Sequence, residues 1–169
     1  MAHSTRTIAE GADLWAFIEF AGTPKTYKPI AAQTNASISD DSDQMESTSK
    51  NNGSYGNHQY GINRWSATVD MMATADTDTN EVDLAELRLM KRAKYKPTVF
   101  FAHVTSAGEI DTARPAYRGT VLLKTPINAP NGELQKTTIN MQGCLELEDL
   151  EYVGSAWTKI AATYPPVVT

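Results

Sequence analysis

From Arg64 to Ala73 the chain alternates apolar and polar residues: Trp65, Ala67, Val69 and Met71 fall on one side, and Arg64, Ser66, Thr68 and Asp70 on the other. Successive side chains of an extended backbone point to opposite faces, so this stretch reads as a strand with one packed and one wet face. The pattern returns late in the chain. There Ile139, Met141, Gly143, Leu145 and Leu147 alternate with Thr138, Asn140, Gln142, Cys144, Glu146 and Glu148. Two such strands require a sheet that covers a core on one side and presents a polar surface on the other.

The other segments agree. Leu14 to Phe20 is rich in aromatic and β-branched residues and stops at Gly22-Thr23-Pro24, as a strand followed by a turn does. Tyr27 to about Ser39 reads as a second extended segment, and Thr98 to Thr105 and Tyr117 to Lys124 as further strands. Ala129-Pro130-Asn131-Gly132-Glu133 is a turn signal. Glu81 to about Ala93 is the one helix, with Asn80 and Asp83 as its starting box. Its acids lie early and its bases late, which complements the helix dipole. Its apolar residues, among them Val82, Leu84, Leu87, Leu89 and Met90, spread around more than half the circumference. A helix on a monomer surface shows a narrower stripe, so this one is either deeply covered or meets a neighbouring subunit, with Leu84, Leu87, Arg88 and Lys91 as contact candidates.

Asp40 to Gly61 is polar and glycine-bearing and reads as a long loop. Tyr55 and Tyr60 favour a loop that orders against a partner, since tyrosine is a common interface anchor. Residues 1–12 and 154–169 read as N- and C-terminal arms, the second closing on Pro165-Pro166. The expected fold class is mainly β (α+β): roughly six or seven strands in a β-sandwich or half-barrel with one flanking α-helix, a long loop and extended termini, in a single domain.

Chemistry finds little to stand on. The net charge is -5, which argues against a basic nucleic-acid reader. Cys144 is the single cysteine, so an internal disulfide or a multi-cysteine zinc site is excluded. His3, His58 and His103 are far apart and have no metal-ligand spacing. Asp40, Asp41 and Asp43 resemble the start of a calcium loop, but the central glycine and late glutamate are missing. No phosphate-binding glycine loop or nucleophile elbow is present. The reading is therefore no enzyme, no cofactor and no metal. The N-terminus lacks a signal-like apolar stretch and no run is long enough to span a bilayer, so a soluble protein made in a cytoplasm is expected. A rival reading is a carbohydrate-binding β-sandwich using Trp15, Trp65 or Trp157 as sugar platforms.

The stretch Ala32-Gln33-Thr34, the loop Glu46-Ser47-Thr48-Ser49-Lys50, and Gly61 before Trp65-Ser66-Ala67-Thr68-Val69-Asp70 stand in a characteristic order. With Gly119, Ala129-Pro130-Asn131-Gly132-Glu133 and the Gly143-x-Leu-x-Leu strand, they resemble the major tail protein (tail tube protein) family of long-tailed, non-contractile bacteriophages, over residues 14 to 150. The resemblance implies a structural virion protein, assembled in the host cytoplasm, whose hexameric rings stack into a tail tube that conducts DNA at ejection. It implies a long loop touching the adjacent ring, with Glu46, Thr48, Lys50, Tyr55 and Tyr60 as contacts. Tape measure, tail terminator and distal tail proteins are the implied partners, without membrane insertion. On this picture Ser37, Ser66, Thr68, Asp70, Thr138, Asn140, Gln142 and Glu146 are expected to face the lumen, forming a polar and on balance acidic wall. The tube protein of a contractile tail or of a secretion system is the nearest alternative.

Overall fold

A computed structural model describes residues 14–46, 58–72, 78–124 and 136–160. The strands are β1 (Leu14–Phe20), β2 (Thr26–Pro29), β3 (Gln33–Glu46), β4 (His58–Met72), β5 (Thr98–His103), β6 (Ala116–Lys124), β7 (Lys136–Gly143), β8 (Glu148–Val153) and β9 (Ala156–Lys159), with one helix, α1 (Leu84–Arg92), between β4 and β5. They form one antiparallel sheet in the order β2-β1-β5-β6-β7-β4-β3, with β8 joined to β6 and β9 to β8. The sheet folds over without closing, and the helix flanks it, as the alternation and the single helical segment required.

β6 is the corner. Its first half pairs with β5 and β8, its second half with β7. The main core fills the fold between the two halves: Ala16, Ile18, Val99 and Phe101 from one, Trp65, Val69, Ile139 and Met141 from the other, with Leu84 and Leu87 of α1. β1 and β5 are apolar on both faces for a reason. Phe17, Phe100 and Ala102 point away from the main core into a second cluster with Ala116 and Leu150, and strands buried on both sides lose the apolar–polar alternation.

Four expectations need correction. The extended segment from Tyr27 to Ser39 is two strands, because the chain turns at Ile30–Ala32 with Ala32 at φ 46. The helix starts at Leu84, not Glu81, because Val82 is held extended between Pro29 and Ala31 by backbone bonds of 2.9 Å to each. Its cap is Asp83, whose carboxylate accepts the Glu86 N–H at 2.7 Å. The late alternating strand ends at Gly143, leaving Leu145 exposed. The arm assigned from 154 onward contains β9, reached from β8 by Gly154 and Ser155, both at positive φ, as a two-residue hairpin turn demands.

The loop assigned to 40–61 is also shorter than expected. β3 runs to Glu46 and β4 starts at His58, opposite it. β7 pairs with β4 only from Ser66 to Met72, so 40–46 and 58–65 continue beyond the sheet as a two-stranded ribbon. Eight residues of strand reach about 25 Å.

Candidate functional site

The polar face of the sheet is built from the outward alternates of β3, β4 and β7. Core packing of Ala36, Ala67, Val69, Ile139 and Met141 fixes which way each strand faces, and the register then brings the polar partners side by side. Ser37 lies opposite Thr68, and Thr68 opposite Asn140. Asn35, Asp70 and Thr138 form the next row, and Ser39, Ser66 and Gln142 the row on the other side. The rows are bonded across strands: Ser37 Oγ and Thr68 Oγ1 are 2.6 Å apart, and Thr138 Oγ1 donates to Asp70 Oδ1 at 2.6 Å. Gln142 Nε2 donates to the Trp65 carbonyl at 3.3 Å. Seven of the eight residues expected on one face therefore share it.

Glu146 does not belong to that face. It follows the end of β7 and pairs with Lys159 at 2.7 Å. The register adds Lys124, opposite Asn140, and Lys136, two residues before Thr138. Losing Glu146 and gaining two lysines removes the expected acidic balance; what remains is a surface of hydroxyls and amides with mixed charges and the exposed Leu122 opposite Gln142.

The other sites fall as follows. Glu46 closes β3 opposite His58, and Tyr60 sits in β4 opposite Gln44; Thr48, Lys50 and Tyr55 lie outside the described residues. Leu84 and Leu87 are buried in the subunit's own core, Arg88 is half-buried and Lys91 exposed. The large apolar residue that α1 leaves outside is Leu89. Asp40 and Asp41 are consecutive strand residues opposite Trp65 and Arg64, so they point to opposite faces and do not converge on a cation. Among the described residues no group of three or more His, Cys, Asp or Glu is placed to hold a metal ion, and no helix is long and apolar enough to cross a membrane. Trp65 is buried, and Trp15 and Trp157 are half-buried and pack on the second cluster, Trp157 with its ring 5.3 Å from Phe100.

The sequence did not disclose a cleft of about 750 Å³ at the end of β7, lined by Ile62, Trp65, Gly143, Cys144, Leu145 and Asp149 among others. Its origin is local. The Trp65 indole lies across Gly119 and Gly143, where any Cβ would overlap it, and its Nε1 donates to Leu145 O at 2.6 Å. Chain 144–147 is thereby drawn off the strand line. Beside it Arg118 holds Glu148 at 2.6 Å and stands 3.8 Å from Glu19, which also binds Lys25 at 2.6 Å. Near this cluster the Tyr27 phenol is pushed up from 10.0 by burial and by the Glu19 charge, with Arg118 opposing.

The architecture is shared with solved assemblies. A chain of the virion of a native gene transfer agent particle superimposes with a TM-score of 0.59 at 14% identity, covering 84% of this chain and 98% of that one. A chain from the tail of an empty gene transfer agent particle, refined helically with C6 symmetry, gives 0.57 at 16% identity over 83% and 97%. The fold is tail-tube-like. A chain of the tube-terminating cap of the anti-feeding prophage, with a TM-score of 0.54 at 12% identity over 85% and 91%, extends this tail-tube-like fold to a second kind of particle. No protein-family model and no curated protein sequence matches this chain.

Proposed function

We propose that this chain is a non-enzymatic structural subunit of a phage-type tail tube, forming hexameric rings that stack around a lumen through which DNA leaves the particle. The observation that carries the reading is the bonded polar face of β3, β4 and β7, set in a tail-tube-like fold. The strand order leaves β2, β3 and β9 with one neighbour each among the described strands. Free strand edges are templates for pairing, and joining neighbouring copies into one closed barrel removes them. The polar face then becomes the inner wall, with Ser37, Ser66, Thr68, Asp70, Thr138, Asn140 and Gln142 toward the lumen. Hydroxyls and amides outnumber the cations Lys124 and Lys136 on this wall, which limits the contacts that would hold phosphate.

The ribbon formed by 40–46 and 58–65 carries Glu46 and Tyr60 away from the sheet, and with Thr48, Lys50 and Tyr55 it would contact the adjacent ring. Tape measure, terminator and distal tail proteins would meet the stack, in a virion tail assembled in the host cytoplasm. Negative-stain microscopy of the purified protein tests this: rings or tubes are expected. Monodisperse monomers at high concentration, with or without other tail proteins, would overturn it. The likeness to the anti-feeding prophage cap supports a second reading, the tube of a contractile tail or a secretion system. Co-assembly with a sheath protein encoded beside this chain distinguishes the two.

A further inference from the structure

The last described residues lead the chain toward the cleft at the end of β7. β9 runs antiparallel to β8 with Lys159 opposite Leu150, and the Ile160 N–H extends the ladder by donating to the Asp149 carbonyl at 2.9 Å. Asp149 lines the cleft. Lys159 follows the same line: its Nζ stands 3.9 Å from Glu148 Oε1 and 2.7 Å from Glu146 Oε2. A chain that keeps this direction passes 148, 147 and 146 in turn. Continued in the β8–β9 register, Tyr164 falls opposite Leu145. Leu145 is 70% exposed and Ile62 67%, and both line the cleft.

We infer that residues 161–169 dock in this cleft of their own copy, with Tyr164 against Leu145, and Val167 and Val168 toward Ile62. The segment itself lies outside the described residues. Its sequence fits the place. Ile160, Ala162 and Tyr164 alternate with Ala161 and Thr163, so the larger apolar residues share one face of an extended chain. Pro165 and Pro166 have no N–H for a ladder and end the pairing there. Nine residues reach roughly 30 Å when extended, enough to cross a cleft of about 750 Å³. Residues 161–169 carry no charged side chain, which suits a cleft whose charges, Asp40, Arg64 and Asp149 among them, are of both signs. Burial of the apolar side chains against Leu145 and Ile62 supplies the attraction. The tail of another copy would have to find the cleft by encounter, whereas this one is already bonded at its rim, which raises its effective concentration there. The contact goes beyond the tube reading and needs only one subunit.

Cys144, the single cysteine, lines the cleft and is half-buried, so its thiol reports the cover. Deleting 161–169 should speed its reaction with a soluble maleimide about tenfold, as a cover that is open about a tenth of the time gives. Tyr164→Asp with Val167→Asp should do the same without shortening the chain. Circular dichroism confirms that both variants are folded. In a Val167→Cys variant at high dilution, a short bifunctional maleimide should join residue 167 to Cys144 within one copy, seen by mass as a linked monomer. An equal Cys144 rate with and without 161–169 would overturn the contact, as would protection that is lost on deleting 1–12 instead. Linked dimers in place of linked monomers would give the cleft to the tail of another copy and overturn the placement within one. None of these readouts depends on rings or tubes, so their failure leaves the tube reading standing, and monomers under the microscope leave this contact standing.

Discussion

The side-chain amide of Gln33 grips the backbone of Ala16 twice: its Oε1 accepts the Ala16 N–H at 2.8 Å, and its Nε2 donates to the Ala16 carbonyl at 3.1 Å. Gln33 opens β3 and Ala16 lies in β1, so one side chain ties together the two arms of a sheet that does not close. Ala16 is fully buried, and a buried N–H left without a partner costs about 1–3 kcal/mol. We predict that Gln33→Ala lowers stability by that amount in urea unfolding. An unchanged midpoint would show that the clasp contributes nothing.

Trp65 fills the space above two glycines. Gly143→Ala would place a methyl group inside the indole, and forcing extra atoms into a packed core costs about 1–3 kcal/mol. The Nε1 bond to Leu145 O breaks if the ring is pushed aside, so the 144–147 segment should loosen as well. Faster amide exchange at Leu145 and its neighbours, together with a lowered unfolding midpoint, is the expected pair of results.

Arg118 is the shared cation of an acidic cluster. Its Nε and Nη2 meet Glu148 Oε2 at 2.8 and 2.6 Å, and Glu19, with its side chain only 11% exposed, has Oε2 3.8 Å from Nη1 without a hydrogen bond. Bonds between charged groups contribute about 1.5–3 kcal/mol where water is largely excluded. Arg118 is itself 23% exposed, so the lower end is expected for Arg118→Met. The loss should shrink when Glu148→Gln is made in the same protein. Equal losses with and without Glu148→Gln would rule out coupling.

Stability should fall at high pH. Burial raises the Tyr27 phenol above 10.0, and the hydrogen bond to Glu146 raises the Lys159 ammonium above 10.5. In both cases the folded state holds the proton more tightly than the unfolded chain. The stabilisation is complete below the unfolded values and is lost as pH rises through the folded ones. Unfolding midpoints measured from neutral pH upward should therefore decline from about pH 10, and Tyr27→Phe should make the decline shallower. An identical slope in the variant would remove Tyr27 from the account.

The pairing of Glu46 with His58 sets the bounds of a deletion that tests the inter-ring role. Replacing 47–57 by a two-residue turn keeps the Glu46–His58 pairing. It should leave a folded subunit with unchanged circular dichroism that forms rings but not tubes. Long tubes from this variant would refute the inter-ring role.

The sequence by itself determined the faces. The alternation in β4 and in the first part of β7 depends only on the geometry of neighbouring residues, so Trp65, Val69, Ile139 and Met141 could be assigned to the core, and Thr68, Asp70, Thr138 and Asn140 to the wet side, without knowing any partner strand. It failed wherever the partner decides. Asp40 and Asp41 are both exposed, so their part of the ribbon needs no apolar side and reads as loop; only pairing with Trp65 and Arg64 makes it strand. Glu146 continued the alternation on paper, yet the Trp65 indole over Gly143 diverts the chain and sends that carboxylate to Lys159. Lys124 joined the polar face only through its register with Asn140. Register, strand ends and the cleft between them depend on contacts made across many residues of sequence, and those exist only once the sheet has folded.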